Sequence, residues 1–202
     1  TLHLTGADFT AALINNGVMI YDRLFGVGII ATSGTQPVTG VPTRYQSTTG
    51  GAADSAEGNF LFMVSTGAPA GAHNWTVCTY TDQAGAASTL PSLAGSAGPP
   101  INTFDMPVNT WFAPLDSGDT GIQTLTQAQT SLSFGSVECV IGHPIGVMMF
   151  PQINDLIPYD WLTTRELAPR IFDNACLAMF EFPKPATTAV TYNGTIQAVN
   201  AP

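Results

Sequence analysis

The sequence predicts an all-β protein, an antiparallel β-sandwich of jelly-roll type with long irregular loops and at most one short helix. Three observations carry this. Between residues 122 and 134 the side chains alternate, with Ile122, Thr124, Thr126, Ala128 and Thr130 on one side and Gln123, Gln127 and Gln129 on the other. That period of two is the mark of a strand with one face toward a core. Short apolar runs recur along the chain, separated by Gly- and Pro-rich turns, which is the pattern of sandwiches and barrels. No long segment carries a helical period.

The elements follow in order. Residues 1–16 are short on pattern and are expected to form an N-terminal arm, leaving 17–202 as a single sandwich domain. VMIYDRLF at 18–25 reads as a strand with Asp22 and Arg23 in its middle, followed by VGII. Such a charged pair faces solvent or an interface, or is paired when buried. Residues 32–58 are turn chemistry almost throughout, with VPTRYQ at 41–46 as a short edge strand. A loop of that length in a small domain is functional or disordered more often than not. NFLFMVS at 59–65 reads as a buried strand, and WTVCTYT at 75–81 as a central one with bulk on both faces. There, alternation places Trp75 on the face opposite Cys78 and Tyr80. TDQAG closes a hairpin.

Residues 84–109 hold too many prolines and glycines for a continuous element. The alternating strand at 122–134 has Leu125 as its one exception. VECVI and VMMF continue it as strand, kink and strand around His143-Pro144. YDWLTTREL at 159–167 reads as a short helix ended by Pro169. CLAMFEF at 176–182 is another buried strand. Asn193-Gly194 is a strong two-residue hairpin signal, so AVTYNGTIQAV reads as a last hairpin.

Composition excludes several functions. Lys and Arg number 5 against 14 acids, for a formal charge of −9, and the five cations are scattered: Arg23, Arg44, Arg165, Arg170 and Lys184. A nucleic-acid binder needs clustered cations to neutralise phosphates, and an anionic membrane asks for the same. Neither partner is expected. No apolar run approaches the ~20 residues of a membrane-crossing helix, and no signal-peptide pattern is present. Only 9% of residues are charged, and Lys is nearly absent. Lys side chains lose much rotamer entropy when covered, whereas Thr, Ser, Ala, Gly and Gln lose little. The surface therefore suits a chain that lies against neighbours.

No catalytic or cofactor motif stands out. His3, His73 and His143 have no ligand at metal spacing, and the nucleophile-elbow motif is missing. DSGD at 116–119 resembles part of a calcium loop but lacks the downstream Glu, so it reads as a tight acidic turn. Cys78, Cys139 and Cys176 are far apart in sequence and sit in apolar runs, as free buried thiols do. Asp160, Arg165, Glu166, Arg170 and Asp173 form the one charge-dense segment, expected to pair internally or across an interface. Trp75, Trp111 and Trp161 would make a sugar-binding platform if exposed; Trp is otherwise core or interface anchor.

GDTGIQTL at 118–125 and LAPRIFDNACLAMFEF at 167–182, together with NFLFMVST and WTVCTYTDQAG, resemble segments of small virion structural proteins of tailed bacteriophages. The resemblance covers about half the chain. It implies a non-enzymatic decoration, cement or minor head protein that binds and stabilises a capsid through arm and loop contacts. The partners would be the major capsid protein and copies of itself, as a homo-oligomer with a trimer favoured. It would be made in the host cytoplasm and reside on the capsid surface. The interface residues selected on this reading are Arg44, Tyr45, Trp111, Trp161, Arg165 and Arg170. Two further readings share the fold: a carbohydrate-binding module of a phage fibre or secreted protein, and a jelly-roll major coat protein. The lack of a basic arm weighs against the last.

Overall fold

A computed structural model describes residues 2–12, 16–30, 33–40, 44–45, 56–67, 71–95, 103–107, 110–133, 135–161, 169–182 and 191–200. The protein is all-β there, with 14 strands in antiparallel sheets. The chain divides into two compact units rather than an arm and one domain: residues 23–143 form one, and residues 1–22 with 144–202 form the other. Two strands contribute a half to each unit, β2 (Asn16–Ile30) and β10 (Ser136–Phe150), each 15 residues long. A strand of that length spans about 50 Å, more than one small core covers.

In the 23–143 unit, β4 (Phe60–Ser65) pairs with the first half of β10, Val140 opposite Phe62, and with β8 (Thr103–Phe104). The second sheet runs β3 (Gln36–Pro37), β9 (Ile122–Thr130), β5 (Asn74–Asp82), β6 (Ala87–Thr89), with β7 (Leu93–Ala94) also on β5. Leu61, Met63, Cys139 and Ile141 from the first sheet meet Trp75, Tyr80, Ile122 and Leu125 from the second, which makes a sandwich core.

β5 is central, as its two bulky faces indicate, but strict alternation misplaces Trp75. The register slips between Trp75 and Val77, so Thr76 is an extra residue. That bulge turns Trp75 to the same buried side as Cys78 and Tyr80. The slip between Thr79 and Tyr80 leaves Thr126 of β9 extra in the same way, and brings Leu125 into the core. The TDQAG hairpin forms: Asp82 N–H donates to the Ala86 carbonyl at 2.9 Å, and the Asp82 carboxylate accepts from the amides of Ala84 and Ala86.

The other unit is built on β1 (Leu2–Ala11), so residues 2–11 are a sheet strand and not an arm. One edge of β1 pairs with β11 (Ile157–Asp160) and β12 (Arg170–Ile171), the other with β14 (Tyr192–Asn200). Opposite lie the second half of β10 and the first half of β2, the latter paired with β13 (Leu177–Phe182). Leu4, Phe9, Val18, Ile20, Phe150 and Trp161 fill this core.

Three expectations change here. Asn193-Gly194 makes no hairpin turn; it lies inside β14, opposite Thr10 and Phe9. A Cβ on Gly194 would sit 2.0 Å from the Asp8 carbonyl oxygen and 2.6 Å from the Phe9 ring. Glycine serves close backbone approach at this position. Tyr159 and Asp160, expected to start a helix, end strand β11 instead, while 162–168 lie outside the described residues. Of the edge strand expected over 41–46, the described Arg44 and Tyr45 form a turn, with Tyr45 at φ +54°.

Candidate functional site

The selected interface residues fall in both units, and two of those described, Tyr45 and Trp161, are buried. Tyr45 is buried, its ring stacked on His143 with centroids 3.8 Å apart. Arg44 is half-buried and donates from Nη2 to the Arg23 carbonyl at 3.1 Å. Trp111 is half-buried, outside any strand. Trp161 is wholly buried in the core of its unit, so it is no surface anchor. Arg170 is exposed, its guanidinium 4.0 Å above the Phe172 ring. Arg165 and Glu166 lie outside the described residues. Trp75 is also buried, so the three tryptophans present no shared platform.

Several polar side chains inside the 23–143 unit hold loops or neighbouring strands. The Nε2 of His73 lies 2.9 Å from Asp105 Oδ2 and its Nδ1 lies 3.2 Å from the Gly71 carbonyl, with both pair members fully enclosed. The Trp75 indole donates to the Asp105 carbonyl at 3.3 Å. His143 Nδ1–H donates to Asn59 Oδ1 at 2.7 Å, and Asn59 Nδ2 donates to the Ile122 carbonyl. Arg23 pairs with Glu138.

DSGD is the tight turn its residues indicate. Asp119 N–H donates to the Asp116 carbonyl, and the Tyr80 hydroxyl accepts from the Asp116 amide while donating to Asp119 Oδ2 at 2.5 Å. Burial, with the Asp119 carboxylate beside it, pushes the Tyr80 hydroxyl up to about 12. Together Tyr80, Asp116 and Asp119 fix this turn. Among the described residues no group of three His, Cys, Asp or Glu side chains is placed to hold a metal ion.

In the other unit Asp22 is buried and accepts from the Cys176 amide at 2.9 Å. The thiols differ from expectation at one position: Cys78 and Cys139 are buried and free, but Cys176 is exposed. It lies just before β13, whose first residue, Leu177, is also exposed.

What this unit offers instead is uncovered apolar surface. Nine large hydrophobic side chains are exposed among the described residues, and all but Leu132 lie here: Val147, Met149, Ile153, Leu156, Leu177, Met179, Ile196 and Val199. On β10, Met148 and Phe150 turn into the core while Val147 and Met149 turn out, Met149 being 59% exposed. A cavity of about 430 Å³ opens nearby, lined by Leu2, Ile171, Phe172, Ala175 and Leu177 among others. Scattered exposed apolar residues need no explanation, but a concentration of them marks an interaction surface. Sequence reading missed this surface. A run apolar on both faces does not reveal which face its own chain covers; the signal present was the uncharged VMMF and CLAM, with no polar residue on the outer face.

No protein-family model, no curated protein and no solved structure matches the chain.

Proposed function

We propose that the chain is a non-enzymatic structural subunit whose role is to be covered by other protein surfaces, and that its setting is a bacteriophage virion, as a capsid-bound decoration, cement or minor head protein. The observation that carries the reading is the concentration of exposed large apolar side chains on the unit built from the two ends of the chain. Its own core is filled, so these residues are surplus to folding and suit a contact. The near-absence of lysine supports the same reading, because a lysine-poor surface loses little side-chain entropy when covered. The jelly-roll strand order, the capsid partner and self-association belong to this proposal.

Light scattering on the purified protein, with identification of whatever co-purifies under native conditions, tests it. A stable oligomer or a co-purifying coat protein is the expected result. A solitary monomer over a wide concentration range, binding no shell, overturns it.

A further inference from the structure

The cavity of about 430 Å³ in the unit built on β1 combines an apolar lining with an acidic rim. Leu2, Ile171 and Ala175 line it and pack on the filled core of that unit. One wall is a turn: Ala175 N–H donates to the Phe172 carbonyl at 2.9 Å. That turn sets Phe172 and Ala175 half-buried on the cavity and leaves Asp173 and Asn174 exposed at its tip, Asp173 bordering the opening. Leu177, 39% exposed, also lines the cavity, and Met179, 51% exposed, stands on the same side of β13 two residues on. The volume falls in the range of pockets that enclose an apolar group, roughly 300–1,000 Å³, and such pockets carry a few polar groups that set orientation.

We propose that this cavity receives an aliphatic side chain from a different protein, on a segment where that side chain is flanked by lysine or arginine. The inference rests on the reading of the chain as a subunit covered by other proteins, and it names the chemistry of the partner. Charge complementarity selects a basic segment. The chain carries a formal −9, and the unit that holds the cavity has seven acidic residues against three basic ones. A second copy brings the same excess of acid and is repelled, as is any anionic segment, whereas a cationic one is drawn in.

Asp173 places a carboxylate at the opening itself, held there by the turn that forms the wall. Arg170, the neighbouring cation, is committed to that wall, its guanidinium 4.0 Å from the centroid of the Phe172 ring. An aliphatic group that enters therefore meets Leu2, Ile171 and Leu177, while an ammonium or guanidinium beside it in sequence reaches Asp173. An apolar anchor in a pocket with a charged rim is the arrangement in which a few residues dominate an interface. The rim pair stays in water, so it contributes selectivity and salt dependence more than affinity. Met179 continues the apolar strip beyond the cavity for a second aliphatic contact.

Peptide titration followed by fluorescence anisotropy tests both halves of the proposal. The probe is a fluorescein-labelled hexapeptide, Lys-Lys-Leu-Leu-Lys-Lys amide, and its control is Glu-Glu-Leu-Leu-Glu-Glu amide. The basic peptide is expected to bind the full chain, more weakly as salt rises, and the acidic one is not. Asp173→Lys is expected to weaken binding at least fivefold at an unchanged thermal midpoint. Asp155→Lys, exposed in the same unit but away from the cavity lining, changes the net charge equally and is expected to weaken it less than twofold. Ala175→Trp fills the cavity without altering charge and is expected to weaken binding at least tenfold; Leu177→Ser repeats that test at an exposed position, with at least a threefold loss expected. No binding of the basic peptide, equal binding of the acidic one, equal effects of Asp173→Lys and Asp155→Lys, or binding untouched by Leu177→Ser overturns the proposal. If the peptides fail while a coat protein still co-purifies, the chain remains an assembly subunit and only this cavity is wrongly assigned. A solitary monomer that binds no shell removes the parent reading instead.

Discussion

Gly146→Ala is the sharpest probe of the core built around β1. Gly146 lies on β10 beneath Trp161, and a Cβ added there would stand 2.3 Å from Cζ2, 2.9 Å from Cε2 and 3.1 Å from Nε1 of the indole. Carbon–carbon contact is comfortable at about 3.5–4.0 Å, so the ring must recede by about 1 Å. It has little room, being wholly buried and packed on Tyr159 with centroids 4.7 Å apart. Overpacking of this kind costs about 1–3 kcal/mol. With a urea dependence of about 2 kcal/mol per molar, the unfolding midpoint falls by about 1 M. Circular dichroism during urea titration measures this. Trp161→Phe removes the atoms that clash and also the indole N–H, the one buried side-chain donor without a hydrogen-bond partner among the described residues. Loss of ring volume and loss of an unsatisfied donor, worth about 1–3 kcal/mol, offset each other, so Trp161→Phe alone is expected to be near neutral. In that background Gly146→Ala should cost at least 1 kcal/mol less than in the wild type. Strict additivity of the two substitutions, or a midpoint shift below about 0.2 M for Gly146→Ala, refutes the packing argument.

Asp105→Ala takes the enclosed carboxylate from His73 and is expected to cost about 3–5 kcal/mol in urea unfolding, because a buried polar partner is stranded; Asp105→Asn, which keeps an acceptor, should cost less. Thiol titration at pH 8 should count one reactive cysteine, Cys176, in the folded protein and all three in denaturant, since burial raises Cys78 to about 12 and holds Cys139 well above the usual range. Tyr80 ionises near 10 when unfolded and near 12 when folded, so its contribution is complete below pH 10 and is lost as pH rises from 10 to 12. Thermal melts across that range should fall for the wild type and fall less for Tyr80→Phe.

Much of the strand content was legible because β4, β5, β9 and β13 each combine an apolar or alternating run with turn residues at both ends. The bulges were not. Leu125 stood out as an exception to alternation, yet the sequence does not say that Thr126 is the extra residue that turns it inward. Asn193-Gly194 misled because its glycine answers to Phe9, a neighbour 185 residues away along the chain. Local turn chemistry and long-range approach ask for the same residue. The division into two units was hidden for a related reason. β2 and β10 read as ordinary apolar stretches, and only their partners reveal that each strand has two halves with different cores. Trp161 was visible as a large anchor, but whether it anchors a core or an interface depends on Gly146, which leaves the space beneath it.

On the proposed reading, the two units would divide the work between specificity and contact. Among the described residues the buried polar side chains are Asp22, Asn59, Ser65, His73, Asp82, Asp105 and Thr130, and all but Asp22 lie in the 23–143 unit. Exposed large apolar side chains lie, Leu132 apart, in the other. Buried polar networks fix one arrangement of loops at the expense of tolerance, since each partner removed leaves another stranded. Exposed apolar residues do the opposite: substituting them leaves the fold intact and changes what it touches. Damage in the two units should therefore separate. Variants of His73, Asp105 or Asn59 should lower stability without altering how the remaining folded protein associates, whereas Ile196→Lys or Met149→Lys should alter association at unchanged stability. A lysine at either position that melted the fold would mean that these side chains complete a core, and the surplus apolar surface on which an assembling subunit depends would not exist.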